Sequence, residues 1–144
     1  MSLVVMKFGG SSVADADRIK IVAGRIIARR KGGNRVVVVV SAPGDMTDDL
    51  IEMADKITDN PSGREMDMLL ATGEQVSIAL LSMAINERKV EAVSLTGPQA
   101  GILADDTHTR ARITDIKPVK ILSELKKGRV VIVAGFQGLN SNED

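Results

Sequence analysis

Five consecutive valines, Val36 to Val40, constrain the fold of this chain more than any other stretch. Valine is β-branched and favours the extended backbone of a strand. A strand that is apolar at every position has both faces buried, which is typical of a central parallel strand covered by helices on both sides. The run therefore predicts an α/β protein with this strand inside the sheet.

The segments around the valine run alternate between strand and helix patterns. Residues 2–7 predict a buried strand, and apolar positions recur at helical spacing from about Val13 to Arg30, where Gly32-Gly33 ends the helix. The further elements are a helix capped by Thr47 or Asp48 that runs to about Thr58, a helical stretch 64–88 interrupted around Thr72-Gly73, strands near 90–95, 101–103 and 112–113, a helix 118–127 and a buried strand 130–134. This order predicts a three-layer αβα sandwich with a mostly parallel sheet.

Composition excludes several classes of partner. Lysine plus arginine equals aspartate plus glutamate, 19 each, so no basic surface is indicated for nucleic acid or an anionic membrane. Two phenylalanines without tryptophan or tyrosine leave no stacking platform for single strands. No apolar run approaches the roughly 18 residues that span a bilayer, and the absence of cysteine suits a reducing compartment. We therefore expect a cytoplasmic protein that binds neither nucleic acid nor membrane.

Polar or glycine-rich loops follow four of the predicted strands. They are residues 7–12, 41–44, 96–99 and 135–138. Ligands of parallel α/β sheets gather outside the carboxyl ends of the strands. Glycine lets backbone N–H groups approach a phosphate, and a helix beginning directly afterwards adds a favourable dipole. Lys7 adds a compact cation, although a tight turn with a solvated lysine explains the same residues, and both interpretations stay open at this point.

The familiar nucleotide and catalytic motifs are absent. Ser11 and Ala14 occupy positions where the dinucleotide pattern G-x-G-x-x-G needs glycine, and no G-x-x-x-x-G-K-[ST] loop occurs. His108 is the only histidine, so a Ser-His-Asp triad has one possible place, and a solvated loop histidine is the better interpretation. Glu74 lies at the expected helix break beside apolar neighbours, where it could face the crevice. Alone, that is a weak signal.

Taken together and in order, five stretches carry a family resemblance: residues 7–13, 39–42, 72–74, 96–101 and 133–138. The chain resembles the catalytic domain of aspartokinases, within the amino-acid kinase superfamily. Kinases for N-acetylglutamate, carbamate or uridylate share the architecture but not the K-F-G-G-S-S opening combined with G-F-Q-G. The resemblance implies transfer of the ATP γ-phosphoryl group to the side-chain carboxylate of L-aspartate, with Mg²⁺. The product is 4-phospho-L-aspartate, the first intermediate of lysine, threonine and methionine biosynthesis.

The same resemblance implies roles for individual residues. Lys7 would contact the ATP phosphates and stabilise the transition state. The phosphate cradle would consist of Phe8, Gly9 and Gly10, with Ser41 at the phosphate end of the nucleotide. Aspartate would be held by Thr47 and by Glu74, which would meet its ammonium group, with Asp48 and Asp49 as weaker candidates. No protein ligand to a metal is implied.

The resemblance also sets an expectation for the extent of the chain. Aspartokinases continue with a T-T-L-G-R-G-G-S-D-like motif, the strands that hold adenine, and ACT domains. We therefore expect residues 1–144 to be the N-terminal portion of the catalytic domain of an oligomeric parent, and to be inactive alone. Two alternatives stay open. One is another amino-acid kinase, acting on N-acetylglutamate or glutamate, and the other is a non-catalytic binding or oligomerisation module, suggested by the nearly all-round apolar stretch from Val76 to Ile85.

Overall fold

The valine run forms an interior strand of a parallel sheet, as predicted. A computed structural model describes residues 1–142 and 144. The elements in chain order are β1 (Leu3–Phe8), a 3-10 turn (Gly10–Val13), α1 (Ala16–Lys31), β2 (Arg35–Val40), α2 (Met46–Ile57), α3 (Gly63–Glu87), β3 (Ala92–Leu95), β4 (Ile102–Ala104), β5 (Ile113–Ile116), α4 (Val119–Lys126) and β6 (Val130–Ala134). The main sheet has the order β1-β2-β6-β3 with every pair parallel, and β4 and β5 form a separate antiparallel pair.

Two apolar cores lie on the two faces of this sheet. On one face, α1 and α3 pack on alternate valines of β2, with Ile26, Leu81 and Ile85 among the fully buried side chains. On the other face, Leu125 of α4 packs with Val37 and residues of β3 and β6. Helices therefore cover both sides, which confirms the predicted three-layer α/β architecture.

Strand β1 is an edge strand, so the prediction that residues 2–7 are buried is wrong. It pairs with β2 alone, and its residues alternate between exposed and half-buried. Leu3 is 48% exposed and Val5 64% exposed. Their register partners, Arg35 and Val37, belong to the face on which α4 packs over β6. Since α4 packs over β6, two strands away from β1 on this same face, the end of the face at β1 stays open among the described residues.

Helix α3 is continuous through Thr72-Gly73, where the sequence predicts an interruption. Gly73 is buried, and a Cβ atom built on it would lie 3.0 Å from the Cβ of Ala42 in the loop after β2. Glycine at this position therefore serves a close approach between helix and loop rather than a helix break. The Thr72 hydroxyl donates to the carbonyl of Leu69 within the same helix.

Helix α3 is also long and apolar enough, by length and composition, to cross a membrane. It packs against α1, α2 and the sheet, and it carries three buried polar residues, Glu74, Ser77 and Ser82. The core helix of an α/β fold passes the same test, and we interpret α3 as such a helix. Its outer side still exposes Val76, Leu80 and Met83.

The β4–β5 hairpin is tied to the start of α3 by the single histidine. His108 Nδ1 lies 2.8 Å from Asp67 Oδ2, and the amide of Thr109 donates to the same carboxylate. His108 is half-buried. His108 lies in a loop, as interpreted from the sequence, but it is hydrogen-bonded and half-buried rather than solvated.

Glu124 is a buried carboxylate held by three cations near the end of α4. Only 1% of its side chain is exposed, and Arg129 Nη1 lies 2.6 Å from its Oε2, while Lys120 and Lys127 approach its Oε1 at 3.0 and 3.1 Å. Hydrogen bonds from Arg129 and then from the two lysines hold the pKa of Glu124 at about 2, below its usual 4.5. A carboxyl whose pKa is lowered on folding adds stability above pH 4.5, and that stability is lost as the pH falls from 4.5 through 2.

Replacing Glu124 by glutamine is expected to lower the melting temperature by several degrees at pH 7, because the charge that the three cations surround is lost. The difference from the unaltered chain should shrink as the pH falls from 4.5 to 2. Circular dichroism melts at about pH 7, 4 and 2.5 measure it. Glu52→Gln is the control, since Glu52 pairs with Lys56 at the surface and should matter little. An equal difference at the highest and the lowest pH would contradict the assignment.

Candidate functional site at the strand ends

The loops after the main strands meet at one edge of the sheet, as the parallel topology predicts. The amide of Ser41 donates to the carbonyl of Phe8 at 3.3 Å, and the amide of Gly135 donates to the carbonyl of Val40 at 2.9 Å. The amide of Gly44 donates to the carbonyl of Gly10 at 2.9 Å. The loops after β1, β2 and β6 are therefore hydrogen-bonded side by side into one crevice edge.

The two glycines after β1 have different surroundings. A Cβ on Gly10 would lie 2.7 Å from the carbonyl oxygen of Ala42 and 3.2 Å from that of Gly44, so packing requires glycine there. A Cβ on Gly9 would meet nothing within 4 Å, and its φ of −80° suits any residue. Gly9 directly precedes the 3-10 turn. The packing of the described residues therefore does not require glycine at this position.

Replacing Gly10 by alanine is expected to lower the free energy of unfolding by about 1–3 kcal/mol, the usual cost of overpacking against fixed backbone. Gly9→Ala is the matched control and should leave stability nearly unchanged. Urea unfolding of both variants measures the difference. Equal losses in the two variants would show that the crevice edge is not packed as described.

Lys7 is exposed at the end of β1 and forms no ion pair with the described residues. It extends from the same face as Leu3 and Val5, whereas the next residue, Phe8, packs toward α1 and α3. The structure therefore places the lysine at the crevice edge, and no hydrogen bond or ion pair joins its side chain to the other described candidate residues.

Thr47, Asp48 and Asp49 lie exposed in the first turn of α2. The prediction that Thr47 or Asp48 caps this helix is wrong, because the turn at Pro43 starts the helix earlier, at Met46, and Asp45 occupies the cap position without a side-chain bond. The Met46 Sδ lies 3.5 Å from the position of a Gly73 Cβ. The first turn of α2 thus lies beside the turn of α3 that carries Glu74.

Glu74 is a buried carboxylate without a matching charge. It is 8% exposed, its Oε2 has no hydrogen-bond partner, and no ion pair joins it to the described residues. Burial raises the pKa of Glu74 to about 7, and the side-chain amide of Gln137 opposes part of that effect. A buried polar atom without a partner is costly, and such groups concentrate at functional sites. An ammonium group is the complementary ligand.

Two residues of the loop after β6 belong to this edge although the sequence does not single out their side chains. Gln137 accepts a hydrogen bond from the amide of Gly97 at 3.1 Å and donates one to the carbonyl of Ala71 at 3.0 Å. Phe136 is 88% exposed and has a φ of +58°, a conformation that is uncommon outside glycine. The G-F-Q-G pattern predicts a loop, and nothing in it predicts a side chain that bridges three elements.

Comparison with known proteins places the chain in a family. The model of the amino acid kinase family matches residues 2–144, almost the whole chain. The chain belongs to the amino acid kinase family.

Relatives within the amino acid kinase family include curated aspartokinases. The chain is 55% identical over 142 residues to aspartokinase 2 of Bacillus subtilis (strain 168) and 54% identical to the aspartokinase of Mycobacterium tuberculosis (strain ATCC 25618 / H37Rv). These matches cover 99% of this chain but 35% and 34% of the relatives, so the chain spans about a third of their length. The resemblance found in the sequence is confirmed.

Solved structures agree with the fold. The crystal structure of aspartate kinase from Synechocystis matches 95% of this chain and 22% of that chain, with a TM-score of 0.81 and 50% identity. E. coli aspartokinase III in complex with aspartate and ADP matches 99% of this chain and 42% of that chain, with a TM-score of 0.82. At 22% identity, the second likeness concerns the fold alone. The predicted α/β fold of an amino-acid kinase is therefore confirmed, while the roles of individual site residues stay predictions.

Proposed function

We propose that this chain carries part of the active site of an aspartate kinase, which transfers the γ-phosphoryl group of ATP to the side-chain carboxylate of L-aspartate. The observation that carries the proposal is Glu74, a buried carboxylate with a free oxygen beside the loops at the strand ends. The similarity to curated aspartokinases supports the choice of acceptor. The crystal structure of E. coli aspartokinase III with aspartate and ADP is consistent with both ligands.

In the proposed reaction, an oxygen of the aspartate side-chain carboxylate attacks the γ-phosphorus. The bond from that phosphorus to the β–γ bridging oxygen breaks, and ADP leaves with the electron pair. The acceptor is already ionised, so no general base is needed, and catalysis depends on positioning and charge neutralisation. This explains how a chain without cysteine or a catalytic triad can serve the reaction.

The residues after β1 would supply the phosphate side of this site. Lys7 would neutralise charge on the transferring group, while the backbone of Phe8, Gly9 and Gly10, with Ser41 beside it, would hold the phosphates. The open space in front of Gly9 suits such an approach. Mg²⁺ would arrive with the nucleotide, where it neutralises phosphate charge. Magnesium that accompanies a nucleotide is bound mainly through phosphates and water.

The start of α2 and the middle of α3 would supply the aspartate side. Ionised Glu74 would pair with the substrate ammonium group, which would donate a hydrogen bond to the Oε2 atom that has no partner among the described residues. The hydroxyl of Thr47 would contact the substrate, with Asp48 and Asp49 as weaker candidates. We further propose that the protein is cytoplasmic, that residues 1–144 act as the N-terminal portion of the catalytic domain, and that they do not turn over substrate alone.

The exposed apolar side of α3, formed by Val76, Leu80 and Met83, supports the second candidate, a non-catalytic oligomerisation module. Calorimetric titration of the 144-residue chain with Mg-ATP and with aspartate separates the two functions. Binding of either ligand supports the kinase site. Self-association of the chain with no binding of either ligand would favour the module.

A further inference from the structure

Gln137 joins helix α3 to the loops that follow the paired strands β3 and β6. Its Oε1 accepts from the amide of Gly97 after β3, its Nε2 donates to the carbonyl of Ala71 in α3, and its own backbone continues from β6. Ala71 lies three residues before Glu74, on the preceding helical turn. The amide therefore links the turn of the helix next to Glu74 with the ends of two strands.

We propose that Gln137 is a positioning residue for the proposed aspartate site: its side-chain amide holds the turn of α3 that carries Glu74 against the loops after β3 and β6. The identity of the ligand rests on the proposed function, whereas the clamp itself rests on geometry alone. Glycine at position 97 fits the same picture, because a Cβ there would collide with the backbone of Gln137. The two loops are packed too closely to accept any side chain between them.

The amide side chain of glutamine satisfies both partners at once. The amide of Gly97 needs an acceptor and the carbonyl of Ala71 needs a donor, at a reach that glutamine provides. Glutamate could accept from Gly97 but, when ionised, could not donate to Ala71. Methionine fills similar space with neither hydrogen bond. These two substitutions therefore separate the bridge from the volume of the side chain.

The test uses the 144-residue chain with Gln137→Met, read by NMR. We expect the amide of Gly97 to exchange with solvent at least about tenfold faster, because its acceptor is gone. The pKa of the Glu74 carboxyl should rise above its value of about 7, because the amide that opposes the effect of burial is removed. Unchanged exchange at Gly97 together with an unchanged or lowered pKa at Glu74 would overturn the proposal.

Gln99→Met is the matched control. Gln99 lies in the same loop as Gly97, and its Oε1 accepts from the amide of Thr96 at 3.0 Å, but it bridges no second element. The Gln99→Met variant should leave the pKa of the Glu74 carboxyl unchanged. If Gln137→Met does not fold, the unaltered chain still decides the matter. The side-chain amide protons of Gln137 should shift with the same midpoint as the Glu74 carboxyl, and their failure to do so would overturn the proposal.

Aspartate added to the same samples separates the clamp from the function. If the proposed function holds, aspartate shifts the Glu74 resonance of the unaltered chain and binds Gln137→Met roughly tenfold more weakly. Equal affinity for aspartate in the unaltered chain and in Gln137→Met would overturn the positioning role of Gln137. If aspartate has no effect on the unaltered chain while the Gly97 and Glu74 readouts change in the variant, the clamp stands and the proposed substrate fails.

Discussion

Replacing Lys7 by methionine is expected to lower kcat for aspartyl phosphate formation by about 100- to 1000-fold, the usual loss when one donor to a transition-state charge is removed. The assay uses a chimaera in which this chain replaces the matched 142 residues of aspartokinase 2 of Bacillus subtilis. Lys7 is exposed, lies on an edge strand and forms no ion pair with the described residues. Its loss should therefore leave the melting temperature unchanged.

Lys20→Met is the matched control for this prediction, because Lys20 is an exposed lysine of α1 that forms no ion pair with the described residues. It should leave kcat unchanged. Lys7→Arg should restore little, since the guanidinium differs from the compact ammonium in size and geometry. A loss below about tenfold in Lys7→Met would mean that the lysine does not act on the transferring group.

Replacing Glu74 by glutamine is expected to raise the KM for aspartate by roughly 100-fold in the chimaera, with a smaller effect on the KM for ATP. The reason is the loss of a charged hydrogen bond to the substrate ammonium in a buried place. Because the pKa of Glu74 is about 7, aspartate affinity in the unaltered protein should increase as the pH rises through that value and the carboxyl ionises. The variant should lose that pH dependence.

The same substitution has a distinct effect on stability. A carboxyl whose pKa is raised on folding favours the folded state below its ordinary pKa of 4.5, and this advantage is lost as the pH rises through about 7. Glu74→Gln should therefore melt higher than the unaltered chain at about pH 8 and closer to it at about pH 5. Glu87→Gln, an exposed position near the end of the same helix, is the control. Lower stability of Glu74→Gln at the higher pH, or an unchanged KM for aspartate, would contradict the assignment.

The parts of the fold that the sequence predicts well are those that periodicity controls. The valine run predicts an interior strand, because β-branched residues favour strands and a central strand buries both faces. The order of strands and helices then determines that the loops after β1, β2, β3 and β6 share one edge. Glu74 at that edge is a weak signal from the residues alone, and it becomes a candidate through the family resemblance.

The wrong and missing predictions concern residues whose surroundings depend on tertiary contacts, which a local sequence pattern does not reveal. Leu3 and Val5 are as apolar as buried residues. They are nevertheless exposed, because β1 lies at the edge of the sheet and pairs with β2 alone. Gly73 suggests a break in the helix, whereas tertiary contact with Ala42 explains it. Gln137 gives no signal, since a bridging amide depends on the three-dimensional meeting of residues 40 and 66 positions away.

The most direct test of the central claim is the acceptor specificity of the chimaera. Aspartate, glutamate and N-acetylglutamate are offered with Mg-ATP, and acyl phosphate is trapped with hydroxylamine, with the Lys7→Met chimaera as the blank. The proposed site predicts acyl phosphate from aspartate and none above the blank from the other two. A folded chimaera that phosphorylates glutamate or N-acetylglutamate instead, or that is no more active than the blank, would contradict it.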